Sequence, residues 1–361
     1  MRAEDEPDVT VVYRVGADEN GLGGQLGPLV VTAVLAEVTE AGTRLLSRRL
    51  PKSLAADLND SKALMSSHDT SLGEAWTRVL FEDAHSIEDS RPRDEQPKGA
   101  HAPAELLKML LHTPEETLRS ECPRESEAQC WSTTADTFEA TEEDLARIRK
   151  HKSVLSARGV TLLGVRSEVV CTKRLNANKR AGVHRFMTDL HAMEALLIGH
   201  RSRVQRPLLA VCGKIGGMGQ YGRFFGPLSQ ELHNVLEEGR AESRYRFPNL
   251  GEVRFVRDAD AKDPLVMLAS IVGKYVRELY MKRIGAFYPE EREKVAPDGH
   301  PSGYHDPVSE RFVALTAKRR RQLGVVDDCF LRLQAEAPEG SPSAAGKRAP
   351  KAKSDSQGSL F

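Results

Sequence analysis

Cysteine is scarce in this chain and follows no ligand pattern. The 361 residues contain five cysteines, and no two of them are separated by only two residues. The odd number and the wide spacing argue against a disulfide framework and against a zinc knuckle, and they are typical of a reducing compartment. The five are Cys122, Cys130, Cys171, Cys212 and Cys329.

The chain also lacks an excess of charge and a long apolar run. Its 52 basic and 52 acidic side chains cancel, so any surface for nucleic acid has to be a local patch. No apolar run approaches the ~20 residues that cross a bilayer. The acidic N-terminus contains no signal-peptide core. We therefore expect a cytoplasmic protein that does not contact a membrane, and we expect it to be a monomer.

The hydrophobic content of 40% is sufficient for one large core. Short β-branched runs and longer helical patterns alternate, which predicts an α/β fold. We expect residues 1–10 to be disordered, residues 11–334 to form the domain with an insertion at about residues 82–150, and residues 335–361 to form a disordered tail. Within the insertion, we expect a stretch of low order around residues 123–129.

Two adjacent carboxylates close the first strand pattern. Asp18 and Glu19 follow an apolar run and precede a glycine-rich turn. Because a carboxylate near the buried end of a strand is costly without a partner, the usual reason for it is a divalent cation. A second acidic cluster, residues 258–263, opens a helix and contains Asp260, which is either a helix cap or a third ligand. Ligands that offer only oxygen suit Mg²⁺ or Mn²⁺ better than zinc.

Four segments carry short motifs in a fixed order. They read GADENGLG at residues 16–23, NDSKAL at 59–64, DADAK running into ASIVGKYVRE at 258–278, and PSGYHDP at 301–307. Together they resemble the motifs of ribonuclease HII in its archaeal and eukaryotic style, which are G-x-D-E-x-G-R-G, D-S-K-x-L, A-D-A-K…A-S-I-x-A-K-x-x-R-D and G-S-G-Y-x-x-D-P. The resemblance covers about residues 11–325.

The resemblance implies a ribonuclease H-like mixed β-sheet flanked by helices, with a helical C-terminal part. It implies metal-dependent cleavage of the RNA strand of an RNA–DNA hybrid, or cleavage at a ribonucleotide embedded in duplex DNA, with 3′-hydroxyl ends as products. Carried over by position, the catalytic residues and metal ligands, for two Mg²⁺ or Mn²⁺ ions, are Asp18, Glu19 and Asp260.

The resemblance also implies a set of substrate contacts. The backbone amides of the turn that contains Gly21 and Gly23 would contact the ribose 2′-hydroxyl, the group that distinguishes RNA from DNA. Tyr304 would stack near the sugar of the next nucleotide. The residues that would lie near phosphates are Ser61, Lys62, Lys274 and Arg277.

The chain departs from the family pattern at one metal ligand. A further aspartate of the family ends the strand that here reads LLAVCGK, at residues 208–214, and this chain has Cys212 or Gly213 in its place. Neither is a hard oxygen ligand. Leu22 also replaces an arginine of the family, and Glu278 replaces an aspartate. The acids considered as substitutes for the absent ligand are Asp258, Asp263 and Glu194.

Two functions from different classes follow from these observations. The first is an active nuclease that requires a divalent metal. The second is a catalytically impaired relative that binds nucleic acid without cutting it and is recruited to the replication clamp. We favour the first, because Asp18, Glu19, Asp260 and Tyr304 all persist.

The chain ends in Gln-Gly-Ser-Leu-Phe, residues 357–361, after a lysine-rich tail. This pentapeptide is similar to the bacterial sliding-clamp motif QL[SD]LF and differs from it only at Gly358. A short peptide on a flexible tether can insert apolar anchors into a pocket of its partner. The resemblance implies a sliding clamp as partner, with Gln357, Leu360 and Phe361 as the contacting residues; a chance match in a low-complexity tail is the alternative.

Overall fold

The structure is a computed structural model that describes residues 11–82 and 100–333. The predicted disordered N-terminus and the predicted C-terminal tail lie outside these residues. Within them, seven strands form one mixed sheet: β1 (Val12–Asn20), β2 (Leu29–Val38), β3 (Val160–Val170), β4 (Leu208–Gly213), β5 (Asn234–Glu238), β6 (Glu242–Phe247) and β7 (Gly251–Val256).

The order of strands in the sheet is β3-β2-β1-β4-β7-β6-β5. Strand β1 pairs antiparallel with β2 and parallel with β4, and β4 pairs parallel with β7. The C-terminal ends of β1, β4 and β7 therefore lie at one edge of the sheet. This edge carries the motif residues of β1 and the acidic segment that follows β7.

Thirteen α-helices surround the sheet in the described part of the chain. They are α1 (Glu40–Leu46), α2 (Lys52–Ala55), α3 (Ser61–Leu64), α4 (Ser71–Glu82), α5 (Pro103–Leu110), α6 (Glu115–Ser120), α7 (Arg124–Trp131), α8 (Glu142–Ala157), α9 (Thr172–Arg180), α10 (Arg185–Val204), α11 (Pro264–Phe287), α12 (Pro289–Glu293) and α13 (Pro307–Leu323).

Helices cover both faces of the sheet, and the sequence of β2 is accordingly apolar along most of its length. Nearly every residue of β2 is buried, because Val30 and Val34 face a core formed with α4, α8 and α11, while Val31 and Leu35 face a core formed with α10. A strand that is covered on both sides reads as a continuous apolar run. The mixed sheet, the flanking helices and the helical C-terminal part confirm the predicted fold class.

Helix α11 packs closely against β1 at the edge that carries the acids. The side chain of Asp263 caps this helix and accepts hydrogen bonds from the backbone of Leu265 at 2.9 Å and of Val266 at 3.4 Å. A methyl group on Gly16 would lie 2.3 Å from the carbonyl carbon of Leu265. Glycine at this position therefore allows β1 to contact the first turn of α11, which brings Asp18 near the segment that contains Asp260.

One local expectation is wrong, and one element was not expected. Low order was expected around residues 123–129, but residues 124–131 form α7, because Pro123 precedes a helix and does not interrupt one. The side chain of Gln129 on this helix accepts a hydrogen bond from Tyr288 at 2.9 Å. The hairpin of β5 and β6 was not expected, because every residue of β5 is exposed and its sequence shows no alternation of apolar and polar residues.

All five cysteines are free, as expected, and four of them line one apolar cavity beside Trp131. None of the helices in residues 11–82 and 100–333 is both long enough and apolar enough to span a membrane.

Candidate functional site

The C-terminal end of β1 carries the two adjacent carboxylates. Asp18 and Glu19 are consecutive strand residues, so their side chains leave the strand in opposite directions. Asp18 lies opposite Thr32 of β2 and is 7% exposed, whereas Glu19 is partly buried. Because β1 lies between β2 and β4, both carboxylates belong to an interior strand and not to an edge strand of the sheet.

The last residue of β4 is the point at which the two carboxylates approach each other. A methyl group on Gly213 would lie 2.6 Å from Oδ1 of Asp18 and 3.4 Å from Oε2 of Glu19. The two oxygens are therefore within roughly 6 Å of each other. The absent side chain of Gly213 leaves the space that these carboxylates occupy, although their strand positions direct them apart.

Asp260 reaches the same edge from a short 3-10 turn, Ala259–Ala261, which precedes α11. Its Oδ2 atom lies 3.7 Å from Nζ of Lys62, the exposed lysine of α3. The pKa of Lys62 is lowered by burial, but the charges of Asp260, Asp60 and Asp18 raise it by more. Asp260 is therefore the acid of the cluster that has a cationic partner.

Burial and neighbouring negative charge raise the pKa of the two carboxylates of β1. For Asp18 the largest cause is burial, followed by the charge of Glu19, and the pKa lies well above its ordinary value. For Glu19 the causes are burial and then the charge of Asp189, with a further contribution from Asp260. A bound cation would favour the ionised form of these carboxylates and so offset the effect of burial and of the neighbouring acids.

Asp189 is a fourth acid at this site, and the sequence analysis missed it. It lies on α10, is fully buried, and neither of its carboxylate oxygens has a hydrogen-bond partner among the described residues. Burial raises its pKa well above the ordinary value, and the charge of Asp18 raises it further. One signal was present in the sequence: Asp189 lies in the apolar stripe of α10, three residues after Phe186 and four before Met193.

The acids considered as substitutes for the absent ligand are engaged elsewhere. Glu194 is buried on α10, and its carboxylate accepts hydrogen bonds from the backbone of Gly226 at 3.0 Å and of Leu228 at 2.8 Å. Burial raises the pKa of Glu194 to about 7. The side chain therefore orders the loop that follows residue 225 and does not contribute to the cluster.

The other two substitutes are also occupied. Asp263 caps α11 through Leu265, and its second oxygen forms an ion pair of 2.7 Å with Arg14. Asp258 is exposed, has a left-handed backbone with φ of 56°, and lies 3.7 Å from Nζ of Lys262. Neither carboxylate replaces the strand aspartate.

The four acids form an open cluster in this structure. Within residues 11–82 and 100–333, no three His, Cys, Asp or Glu side chains surround a common point as ligands of one metal ion. Asp260 faces Lys62, whereas Asp189 is enclosed on the side of α10. The charges of the acids affect the pKa values of their neighbours, but the carboxylate oxygens do not surround one common point.

The glycine-rich turn after β1 is fixed by the C-terminal region. Gly303 accepts backbone hydrogen bonds from Gln25 at 2.8 Å and Leu26 at 3.0 Å. The guanidinium of Arg332 donates to the carbonyl oxygens of Gly21 at 2.5 Å and Gly27 at 2.8 Å. Arg332 is a second residue that the sequence analysis missed, since it lies outside the four motifs.

Within the glycine-rich turn, the two glycines of the motif differ. Gly21 is buried and has a φ of 86°, and a methyl group on it would lie 2.5 Å from Nε of Arg277. Gly23 is exposed, and nothing lies within 4 Å of a methyl group built on it. The turn is therefore rigid at its base and open to a ligand at Gly23.

Tyr304 lies on a buried arginine. The guanidinium carbon of Arg277 is 4.3 Å from the centre of the Tyr304 ring, and Arg277 is 1% exposed while Tyr304 is 39% exposed. The arginine supports the ring from below and leaves its outer face open to solvent. Arg277 is therefore a support for Tyr304, and the phosphate contact expected for it is not available at the surface.

Two other expected phosphate contacts are also internal. The hydroxyl of Ser61 is buried and lies 3.0 Å from the hydroxyl of Ser270. The ammonium of Lys274 donates to the carbonyl oxygens of Ser61 at 3.0 Å and Met65 at 2.5 Å, so it holds α3 in position. Lys62 is the exposed member of the expected phosphate-contacting set. The expected clamp-binding residues Gln357, Leu360 and Phe361 lie outside the described residues.

Comparison with known proteins gives structural similarities alone. No family model and no curated protein matches the chain. It is similar to the ribonuclease HII solved in a complex with PCNA from Archaeoglobus fulgidus, with 16% identity over 91% of this chain and 98% of the other and a TM-score of 0.39. It is also similar to Bst-RNase HIII in complex with Mn²⁺, with 13% identity over 88% and 77% and a TM-score of 0.39.

The ribonuclease H2 of Pyrococcus horikoshii OT3 is a further similar structure, with 14% identity over 88% of this chain and 92% of the other and a TM-score of 0.34. Similarities of this size carry no inference about activity.

Proposed function

We propose that this chain is a divalent-metal-dependent endoribonuclease. Its substrate is the RNA strand of an RNA–DNA hybrid or a ribonucleotide embedded in duplex DNA, and its products have 3′-hydroxyl ends. The observation that carries the proposal is the approach of Asp18 and Glu19 at Gly213. Asp260 joins them from a separate element, and its charge contributes to their raised pKa values.

The donor atoms of the cluster fit Mg²⁺ or Mn²⁺. Asp18, Glu19 and Asp260 offer only carboxylate oxygens, which are the ligands that these hard cations prefer. Burial and the charges of Asp189 and Asp18 raise the pKa of the neighbouring Cys212 thiol. The ammonium of Lys62 pairs with Asp260 and is a single positive charge, which leaves most of the negative charge of the cluster for a metal ion.

The proposed reaction assigns a separate task to each part of the site. Asp18, Glu19 and Asp260 would hold the metal, which supplies charge neutralisation and an activated water for attack on the phosphodiester. The exposed amide of Gly23 would recognise the 2′-hydroxyl, while Arg332 keeps the turn in place. The open face of Tyr304 would stack on the adjacent sugar. Lys62, which is exposed beside Asp260, would attract the substrate phosphate.

A sliding clamp is the partner that we propose for the C-terminal pentapeptide. The support for it is the sequence of residues 357–361 and its position at the end of a lysine-rich tail. The pentapeptide would act as a tether that brings the nuclease to replicating or repaired DNA, without a role in the cleavage step.

The test is cleavage by the full-length protein of three labelled duplexes: an RNA–DNA hybrid, a DNA duplex with one ribonucleotide, and an all-DNA control. Each is incubated with Mg²⁺, Mn²⁺ or EDTA. We expect cleavage of the first two in the presence of metal, with ends that a DNA polymerase extends. Binding of the hybrid without cleavage in either metal would contradict the proposal and favour the binding-only alternative.

A further inference from the structure

Asp189 is an acid for which the rest of the fold provides no partner. Its side chain is 0% exposed, and both of its oxygens lack a hydrogen-bond partner among the described residues. A buried carboxylate without partners is strongly unfavourable in a folded protein. Glu194, the other buried acid of α10, shows what a structural role looks like, because it accepts hydrogen bonds from two backbone amides.

The environment of Asp189 is the proposed metal site. Helix α10 packs against β1 and β4, and Leu190, the residue after Asp189, shares a core with Ala17 of β1 and Cys212 of β4. The charge of Asp189 raises the pKa of Glu19 and that of Cys212, and the charge of Asp18 raises the pKa of Asp189. The packing of α10 on β1 and β4 thus places the buried carboxylate of Asp189 beside the strands that carry Glu19 and Cys212.

The end of β4 contributes no carboxylate to the site. It holds Cys212, whose thiol is buried, and Gly213, which has no side chain. The small residue leaves room for the carboxylates of Asp18 and Glu19. A further carboxylate at this end of the sheet therefore has to come from another element, and α10 packs against β4.

We propose that Asp189 is the fourth carboxylate ligand of this site and is delivered by helix α10 in place of an acid on β4. The inference rests on the proposed function, since it concerns the same metal. The partner of the two Asp189 oxygens would be a divalent cation that Asp18 and Glu19 also bind. The site then has four carboxylates, although its strand β4 contributes none.

The experiment is a calorimetric titration of MnCl₂ into the metal-free full-length protein at pH 7.5. The variants are Asp189→Asn and the matched control Asp258→Asn. Asp258 is exposed, paired with Lys262 and two residues from Asp260, and asparagine tolerates its left-handed backbone. Thermal unfolding of each metal-free protein, and again with MnCl₂, provides a second readout that does not depend on activity.

We expect Asp189→Asn to weaken Mn²⁺ binding by about tenfold or more, and to lose the stabilisation that MnCl₂ gives the parent protein. Asp258→Asn should match the parent in both measurements. Metal-free Asp189→Asn should unfold at the same temperature as the parent or higher, because it removes a charge that has no partner. Equal Mn²⁺ affinity in Asp189→Asn and the parent would overturn this inference and leave the proposed function standing.

Two other outcomes are also decisive. A metal-free Asp189→Asn protein that is unfolded, or markedly less stable than the parent, would assign Asp189 a structural role and overturn the inference. A parent protein that binds no Mn²⁺ would overturn the proposed function together with the inference. The two failures are thus distinguishable.

Discussion

Gly213 and Asp18 are complementary at the end of neighbouring parallel strands. A methyl group on Gly213 would lie 2.6 Å from Oδ1 of Asp18, closer than nonbonded carbon and oxygen atoms approach. The pairing of Ala17 with Cys212 sets this register, because it brings the next residues of β1 and β4 side by side. Because Gly213 of β4 has no side chain, the carboxylate of Asp18 on β1 occupies the space beside it.

The substitution Gly213→Ala tests this relationship. We expect the methyl group to displace the carboxylate of Asp18, to weaken Mn²⁺ binding by about tenfold, and to reduce hybrid cleavage by at least as much. The measurements are Mn²⁺ calorimetry and single-turnover cleavage. Gly219→Ala is the matched control, because a methyl group there has only one neighbour within 4 Å, at 3.9 Å. Unchanged Mn²⁺ affinity in Gly213→Ala would show that the space is not needed.

Removal of one carboxylate of β1 should strongly reduce the cleavage rate without destabilising the fold. We expect Asp18→Asn and Glu19→Gln each to lower the cleavage rate by roughly 10²–10³-fold, the scale for loss of a charge-stabilising group. Because the pKa of each carboxyl group is raised in the folded protein, its ionised form opposes folding. Urea unfolding of the metal-free variants at pH 8 should therefore show stability equal to or above that of the parent. A variant that retains full cleavage would remove that residue from the proposed site.

Lys62 should act on the substrate and not on the metal. Its ammonium lies 3.7 Å from Asp260 and is largely exposed. We expect Lys62→Met to raise the KM for hybrid several-fold and to reduce the salt dependence of binding by about one phosphate contact. Mn²⁺ affinity without substrate should stay the same or increase, since Asp260 loses a competing cation. Lys52→Met, an exposed lysine of α2, is the control, and a loss of Mn²⁺ binding in Lys62→Met would be the contrary result.

The raised pKa of Glu194 predicts that the stability of the protein depends on pH even without a bound metal ion. The pKa of Glu194 rises from 4.5 to about 7 on folding, because the side chain is buried. The folded state therefore binds more protons than the unfolded state between these values, and stability falls as the pH rises through this window. The loss is up to about 3 kcal/mol. Urea unfolding at pH 5, 6, 7 and 8 should show a shallower decline in Glu194→Gln than in the parent.

The same variant separates the structural acid of α10 from the proposed ligand. Glu194→Gln should keep the Mn²⁺ affinity of the parent, because the carboxylate of Glu194 contacts backbone amides and not the cluster. An identical pH profile in Glu194→Gln and the parent would contradict the raised pKa of this side chain.

Deletion of residues 357–361 should affect recruitment alone. We expect the truncated protein to lose binding to a purified bacterial sliding clamp in surface plasmon resonance, since the apolar anchors Leu360 and Phe361 are removed. Cleavage of a free hybrid and thermal stability should equal those of the parent, because the truncated protein keeps every residue of the proposed catalytic site, from Asp18 to Arg332. Clamp affinity that survives the deletion would eliminate the pentapeptide as the contact.

Much of the fold was predictable because its signals are local. The apolar run of β2, the pattern of α10 and the Asp-Pro start of α11 specify elements through period and capping alone. The exposed strand β5 and the helix α7 were not predicted, because neither has an apolar period that marks it. Pro123 immediately precedes α7, because proline is favoured at the start of a helix as well as in irregular segments.

The same distinction between local signals and tertiary packing applies to the candidate site. The sequence by itself determined that Asp18 and Glu19 are adjacent at a strand end and that Asp260 precedes a long helix. Tertiary structure alone decided that Asp189 is an unpartnered acid, whereas Glu194 caps a loop and Lys274 holds α3. The reason is physical: the sequence specifies the order of charges along the chain, but burial and the nearest hydrogen-bond partner depend on how helix α10 and strands β1 and β4 pack.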